Sequence, residues 1–375
     1  MPNRFEELAA PGVRRLSPYV PGKPPEQLER EFGIRDSIKL ASNENPLGPG
    51  PLARMALADA IAGVGMYPDG SGHILRERLA ARHGVSIEQV TLGNGSNDIL
   101  VLLAEAFLTP DQEAVYSQYA FAVYPIAVQA AGAVARVASA RPPDHRMPLG
   151  HDPEAILAEV GPRTRVVFLA NPNNPTGTWL DEHELDGLLR AIPDKVIVVL
   201  DEAYHEYSAE RAVPDGTRWL ARHPNLVVAR TFSKAYGLAG LRVGYALSDP
   251  DVADLLNRVR QPFNVSVPAL AAAAASLDDH AHLAATLALN RTGIARLTEG
   301  LRALGLKVAP SAANFVLVDL GRPAAPVSDA LQRAGVIVRP VANYGLPDHL
   351  RISTGTAAQN ERVLEAMAGA LAARA

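Results

Sequence analysis

The sequence contains no cysteine. Disulfides, thiolate metal sites and a cysteine nucleophile are therefore excluded. Lysine is scarce: it occurs only as Lys23, Lys39, Lys195, Lys234 and Lys307, and arginine supplies nearly all the basic charge. There is no excess of charge of one sign. A net charge of −4 over 375 residues disfavours a nucleic-acid partner. No apolar run is long enough to span a membrane. The N-terminal stretch is broken by Pro11, Pro18, Pro21, Pro24 and Pro25 and has no apolar core after a basic start, so no signal peptide is expected and the cytoplasm is the expected compartment. Gly-x-Ser-x-Gly is absent, which leaves a hydrolase nucleophile elbow unsupported. The histidines are scattered without metal-site spacing to a carboxylate, so no metal is expected.

What is present is an ordinary globular composition, nearly half hydrophobic, in a chain long enough for two domains. Apolar runs recur at Val90–Leu92, Glu113–Tyr116, Ala133–Val137, Arg165–Ala170, Val196–Leu200, Leu226–Arg230 and Val243–Leu247, separated by helical patterns. Runs apolar on both faces predict an α/β fold with a mainly parallel sheet covered by helices. Polar residues cluster just past the C-terminal ends of these runs, where open α/β sheets bind ligands. Residues 1–45 read as an N-terminal arm, 46–265 as a large domain, and 266–375 as a linking helix with a small α/β domain. Helices are predicted from Tyr119 and, with a break near Asp278, over Pro268–Leu304; a strand is predicted over Val336–Arg339.

Of the five lysines, only Lys234 lies between an apolar strand and a Gly-rich turn, in Thr231-Phe-Ser-Lys-Ala-Tyr-Gly237. That setting suits an amine that forms a Schiff base with pyridoxal phosphate. The cofactor makes further demands, and the chain offers a candidate for each. Asp201, ending its own strand, is the carboxylate for the pyridinium nitrogen; it keeps that nitrogen protonated by favouring the charged form. Asn174 and Tyr204 are candidates for the ring oxygen, and Tyr119 for stacking on the ring. Thr231, Ser233, Arg242 and the backbone of Ser96 and Asn97 are candidates for the phosphate. Ser96 and Asn97 follow Gly93-Asn-Gly95 at the start of a helix, where free N–H groups hold anions. That stretch is not Gly-x-Gly-x-x-Gly, because Asp98 takes the third glycine's place, so a dinucleotide site is disfavoured. Each residue alone has an ordinary reading as a cap, a loop polar group or a core aromatic. The reading rests on the set.

Asn171-Pro-Asn-Asn-Pro-Thr-Gly177, Asp201-Glu-Ala-Tyr204 and Thr231-Phe-Ser-Lys-Ala-Tyr-Gly-Leu-Ala-Gly-Leu-Arg242 resemble the fold-type I, class-II aminotransferases. More narrowly, Leu16-Ser-Pro-Tyr-Val-Pro-Gly22, Ala41-Ser-Asn-Glu-Asn-Pro46, Tyr67-Pro-Asp-Gly70, Pro262-Phe-Asn-Val265 and Leu350-Arg-Ile-Ser-Thr-Gly-Thr356 resemble the histidinol-phosphate aminotransferases. The resemblance covers essentially the whole chain. It implies a seven-stranded-type sheet in the large domain and a homodimer with shared active sites. By it, Tyr67 reaches the cofactor phosphate of the neighbouring subunit. Arg351 binds the substrate's anionic group, and Arg339, Tyr19 and Asn43 complete the substrate site. Arginine suits that task because its planar fork pairs with carboxylate or phosphate. The chain departs from the pattern at Ser96-Asn97-Asp98, at Thr354 and at Ser266-Val267-Pro268.

The implied activity is transamination between histidinol phosphate and 2-oxoglutarate, with Lys234 as general base and acid. An aromatic amino-acid aminotransferase and a decarboxylase keep the cofactor and change the reaction. A non-catalytic cofactor-binding regulator would need an appended DNA-binding segment, which the sequence does not contain.

Overall fold

Buried β-branched and leucine-rich runs form the frame. The computed structural model describes residues 4–208 and 211–372. In chain order the strands are β1 (Ile38–Lys39), β2 (Val90–Gly93), β3 (Glu113–Ser117), β4 (Val134–Ala138), β5 (Thr164–Ala170), β6 (Ile197–Asp201), β7 (Leu226–Thr231), β8 (Gly244–Leu247), β9 (Lys307–Val308), β10 (Phe315–Asp319), β11 (Val336–Ile337), β12 (Arg339–Val341) and β13 (Leu346–Ser353). Seven of them make the central sheet, in the order β2-β8-β7-β6-β5-β3-β4. Only β8 runs opposite in direction to the other six. The reason is local. The chain leaves β7, makes the Lys234 loop and returns directly beside it, with no crossover helix to restore the parallel direction.

Both faces of the sheet are packed. One core layer includes Val167, Leu169, Val198, Leu200, Val228 and Leu247. The other includes Val166, Phe168, Val199, Val227, Ala229 and Ala246. This alternation along single strands is why their sequences read as continuous apolar runs. Each fully buried Val, Leu or Phe contributes about 1.5–3 kcal/mol.

A four-stranded antiparallel sheet, β12-β13-β10-β9, forms the C-terminal part with its own apolar cluster. The predicted strand Val336–Arg339 is divided: β11 pairs in parallel with β1, while β12 joins the antiparallel sheet. The end of the arm is thereby stitched to the C-terminal part, since Leu40 also donates to the Ile337 carbonyl. The linking region is two helices, Val267–Ser276 and His280–Ala303. Asp279 caps the second by accepting from the His282 N–H. The predicted helix from Tyr119 begins instead at Val123; Gln118 and Tyr119 lie in a turn closed by the Ala120 N–H donating to the Ser117 carbonyl. That shift matters for the site.

Candidate active site

The C-terminal ends of β5, β6 and β7 open on a cavity of about 470 Å³. Of the residues singled out in the sequence, Ser96, Asn97, Asn174, Asp201, Tyr204, Thr231, Ser233, Lys234, Arg242 and Tyr19 line it. Separate strand ends thus deliver their polar groups to one space, as open parallel sheets do.

Lys234 leaves the loop after β7, and its Nζ donates to the Ser42 carbonyl at 3.1 Å. Burial, then the charge of Arg351, pushes its pKa down to about 8. Gly237 makes this loop possible. Its φ is +71°, and a Cβ there would strike the Gly48 carbonyl.

Asp201 ends β6 and is 4% exposed. Burial pushes its pKa up to about 6, although hydrogen bonds from Tyr124 and the Ala203 N–H favour the carboxylate. Tyr204 accepts a 2.8 Å hydrogen bond from Asn43 Nδ2, and its own burial raises its pKa above the usual phenol value. Asn174 Oδ1 accepts from Arg351 Nη1 at 2.5 Å.

The other end of the cavity is an anion cradle. The helix Ser96–Phe107 starts at its edge after Gly95, whose φ is +81°. Arg242 itself sits at φ +55° and donates to Ser233 Oγ at 3.3 Å. A Cβ at Gly95 would run into the Arg242 guanidinium, and one at Gly244 would run into the Ser96 N–H. Helix start, hydroxyls and guanidinium therefore approach one another closely enough to share one anion.

Three substrate candidates lie behind this lining. Arg351 is 5% exposed and also donates to the Ala41 carbonyl at 2.6 Å, while its Nε has no partner among the described residues. Asn43, at φ +56°, accepts from Ser353 Oγ as well as donating to Tyr204. Arg339 Nη2 donates to the Val20 carbonyl, and its guanidinium lies 5.6 Å from the Tyr19 ring centroid. Arg339 and Tyr19 thus meet against the N-terminal arm, with Tyr19 lining the cavity and Arg339 behind it.

Tyr67 does not reach this cavity. It is 81% exposed and stacks on Phe263 with centroids 4.7 Å apart. Tyr119 is not among the residues that line it either. Because the helix starts late, the turn directs Tyr119 toward Leu149, Tyr344 and Leu346. Phe121 takes the place at the cavity wall.

Sequence reasoning also missed two things behind the strand ends. Tyr124 donates to Asp201 Oδ2 at 2.9 Å. Arg230 donates to Glu202 at 2.7 Å and to Asp215 at 2.6 Å, with His205 beside both acids. Glu202, His205 and Asp215 bring ligand-type atoms within 4.8 Å of one another, and Arg230 is the cation the two acids share.

The donor set fits a planar ring that carries an aldehyde, a basic ring nitrogen and a phosphate. The part-buried amine, the buried carboxylate and the anion cradle line one cavity, with Phe121 on its wall.

A family model, Aminotransferase class I and II, matches residues 35–367. The chain is 58% identical over 374 residues to Histidinol-phosphate aminotransferase 2 of Pseudomonas fluorescens, covering 99% of this chain and 100% of that one. It is 57% identical over 350 residues to Histidinol-phosphate aminotransferase 2 of Methylococcus capsulatus, covering 93% and 94%. Among solved structures, histidinol-phosphate aminotransferase from Sinorhizobium meliloti in complex with pyridoxal-5'-phosphate is similar at TM-score 0.89 and 31% identity, over 98% of each chain. An aspartate aminotransferase mutant from Thermus thermophilus is similar at TM-score 0.84 and 26% identity, over 96% of this chain and 99% of that one. With the family model spanning most of its length and full-length relatives above half identity, this chain belongs to the class I and II aminotransferase family.

Proposed function

We propose that the chain is a pyridoxal-phosphate transaminase that moves the amino group of histidinol phosphate to 2-oxoglutarate, giving imidazole-acetol phosphate and glutamate, as a step of histidine biosynthesis. The observation that carries this reading is the convergence of Lys234, Asp201 and the Ser96–Ser233–Arg242 cradle on one cavity. When bound, pyridoxal phosphate supplies an aldehyde that bonds the substrate amine and a protonated ring that accepts the electrons left when the Cα proton departs.

The residues divide the work. The backbone at Ser96 and Asn97, with Thr231, Ser233 and Arg242, holds the phosphate. Asp201 pairs with the ring nitrogen, and Asn174 and Tyr204 lie on the ring-oxygen side. Phe121 forms a wall against the ring. Lys234 has its pKa lowered to about 8, so a useful fraction of its Nζ is neutral near neutral pH. A neutral amine can bond the aldehyde, and once displaced it can take the Cα proton and return it. Arg351 is the anchor for the substrate's anionic group, with Arg339 and Tyr19 toward its phosphate and Asn43 positioning Tyr204.

The same reading includes a homodimer in the cytoplasm. Met66 and Tyr67 are exposed by 78% and 81%, beside the half-exposed Val64 and Phe263. An exposed apolar patch of this kind suits a second copy, to which Tyr67 would contribute its hydroxyl. Among the described residues no helix is long and apolar enough to cross a membrane.

The test is turnover by Lys234→Ala. A loss of at least ~100-fold is expected, because the group that moves the proton is gone. Turnover at the wild-type rate would remove Lys234 from the mechanism.

A further inference from the structure

We propose that Tyr124 is a positioning residue for the cofactor: its hydroxyl aims and holds the Asp201 carboxylate for a protonated ring nitrogen. The proposal rests on the reading of the cavity as a pyridoxal-phosphate site. Tyr124 stands in the first turn of the helix Val123–Ala130 and is fully buried. Its ring stacks on Phe168 with centroids 5.0 Å apart and meets the edge of Phe121 at 5.9 Å. Packing of that kind asks only for a phenylalanine. A hydroxyl in the same place costs free energy unless it is bonded, and its partner is Asp201 Oδ2 at 2.9 Å.

The donor pattern tells which form of Asp201 the site is built for. Oδ2 accepts from Tyr124 and Oδ1 accepts from the Ala203 N–H at 3.2 Å. Two donors, one on each oxygen, match a carboxylate. A carboxylic acid would bring a proton of its own to one of those oxygens. Burial of Tyr124 keeps its phenol protonated, so it can only donate here. Each carboxylate oxygen keeps lone-pair capacity for one further donor, and Asp201 lines the cavity where the ring nitrogen would lie. Tyr124 is fully buried and is not among the residues that line the cavity, so it acts through Asp201.

The test compares binding by the cofactor-free full chain of pyridoxal phosphate and of its analogue in which C–H replaces the ring nitrogen. In Tyr124→Phe, affinity for pyridoxal phosphate should fall about tenfold or more, as expected for loss of a hydrogen bond to a charged group. Affinity for the carbon analogue should change less than about twofold, since that ring offers Asp201 no proton. In an Asp201→Asn background, Tyr124→Phe should cost pyridoxal phosphate nothing further. Equal weakening of both compounds, or the same loss with Asn at position 201, would overturn the proposal by making the hydroxyl a general packing element. Failure of Tyr124→Phe to fold would overturn it for the same reason. If the unaltered chain binds neither compound, the cofactor reading itself fails, which is a different result from unchanged affinity in Tyr124→Phe.

Discussion

Replacing Lys234 with methionine should make the cofactor-free protein more stable near neutral pH. The structure holds an ammonium where burial opposes it, and its pKa falls from 10.5 to about 8. At 1.36 kcal/mol per unit, holding the charge inside the fold below pH 8 costs about 3 kcal/mol. Methionine fills a similar volume, but it forfeits the donation to the Ser42 carbonyl. A neutral-to-charged hydrogen bond of that kind offsets part of the gain and leaves about 2 kcal/mol. The sign of the pH dependence follows. A folded-state pKa below the unfolded one means that the unfolded chain binds more protons between about pH 8 and 10.5, so wild-type stability rises with pH through that window. The methionine variant has no such slope. Its advantage should be complete below about pH 8, gone at about pH 9.5 and reversed by about pH 10.5, where only the lost hydrogen bond remains. Urea denaturation of both cofactor-free proteins across that range measures it. An advantage independent of pH, or a variant less stable at pH 7, would refute the reasoning. The expected result is a trade of stability for reactivity at one side chain.

Further outcomes follow from the same geometry. Asp201→Asn should also stabilise the cofactor-free protein above pH 6. Burial raises the Asp201 pKa to about 6, so the folded chain binds more protons and wild-type stability is lost as pH rises from the unfolded carboxylate value through 6; the asparagine variant should lack that slope in denaturation curves. Glu202→Gln should cost about 3 kcal/mol, because it leaves the buried Arg230 charge with Asp215 alone, whereas Glu202→Leu combined with Arg230→Met should recover most of that loss in the same assay. If Arg339 contacts the substrate phosphate as proposed, Arg339→Gln should raise KM for histidinol phosphate by ~10- to 100-fold with little change in kcat, and steady-state kinetics would register it.

Much of this was legible in the chain because the relevant signals are local. Leu226–Thr231 followed by a Gly-rich turn marks a buried strand delivering Lys234, and Val196–Asp201 does the same for the carboxylate. Parallel sheets make such runs conspicuous, since both faces are buried. What escaped depends on tertiary arrangement. The helix begins at Val123 rather than at Tyr119, and Phe121 rather than Tyr119 lines the cavity, which no periodicity marks. Tyr124 looks like one more apolar position on an amphipathic helix; only the fold brings it to Asp201, across 77 residues of sequence. The division of Val336–Arg339 between two sheets is likewise invisible locally, because the partner of β11 is β1 in the arm. Arg230 reads as a strand-end charge until Glu202 and Asp215 close around it.

The most direct test of the central claim is a comparison of kcat/KM for histidinol phosphate and for phenylalanine, each with 2-oxoglutarate, on the purified chain loaded with pyridoxal phosphate. If Arg351, Arg339 and Tyr19 surround the substrate end as proposed, histidinol phosphate should be preferred by ~100-fold or more, the worth of a charge-assisted phosphate contact that phenylalanine cannot make. Equal values, or a preference for phenylalanine, would contradict the assignment of that end of the cavity to a phosphate and leave an aromatic amino-acid aminotransferase as the reading.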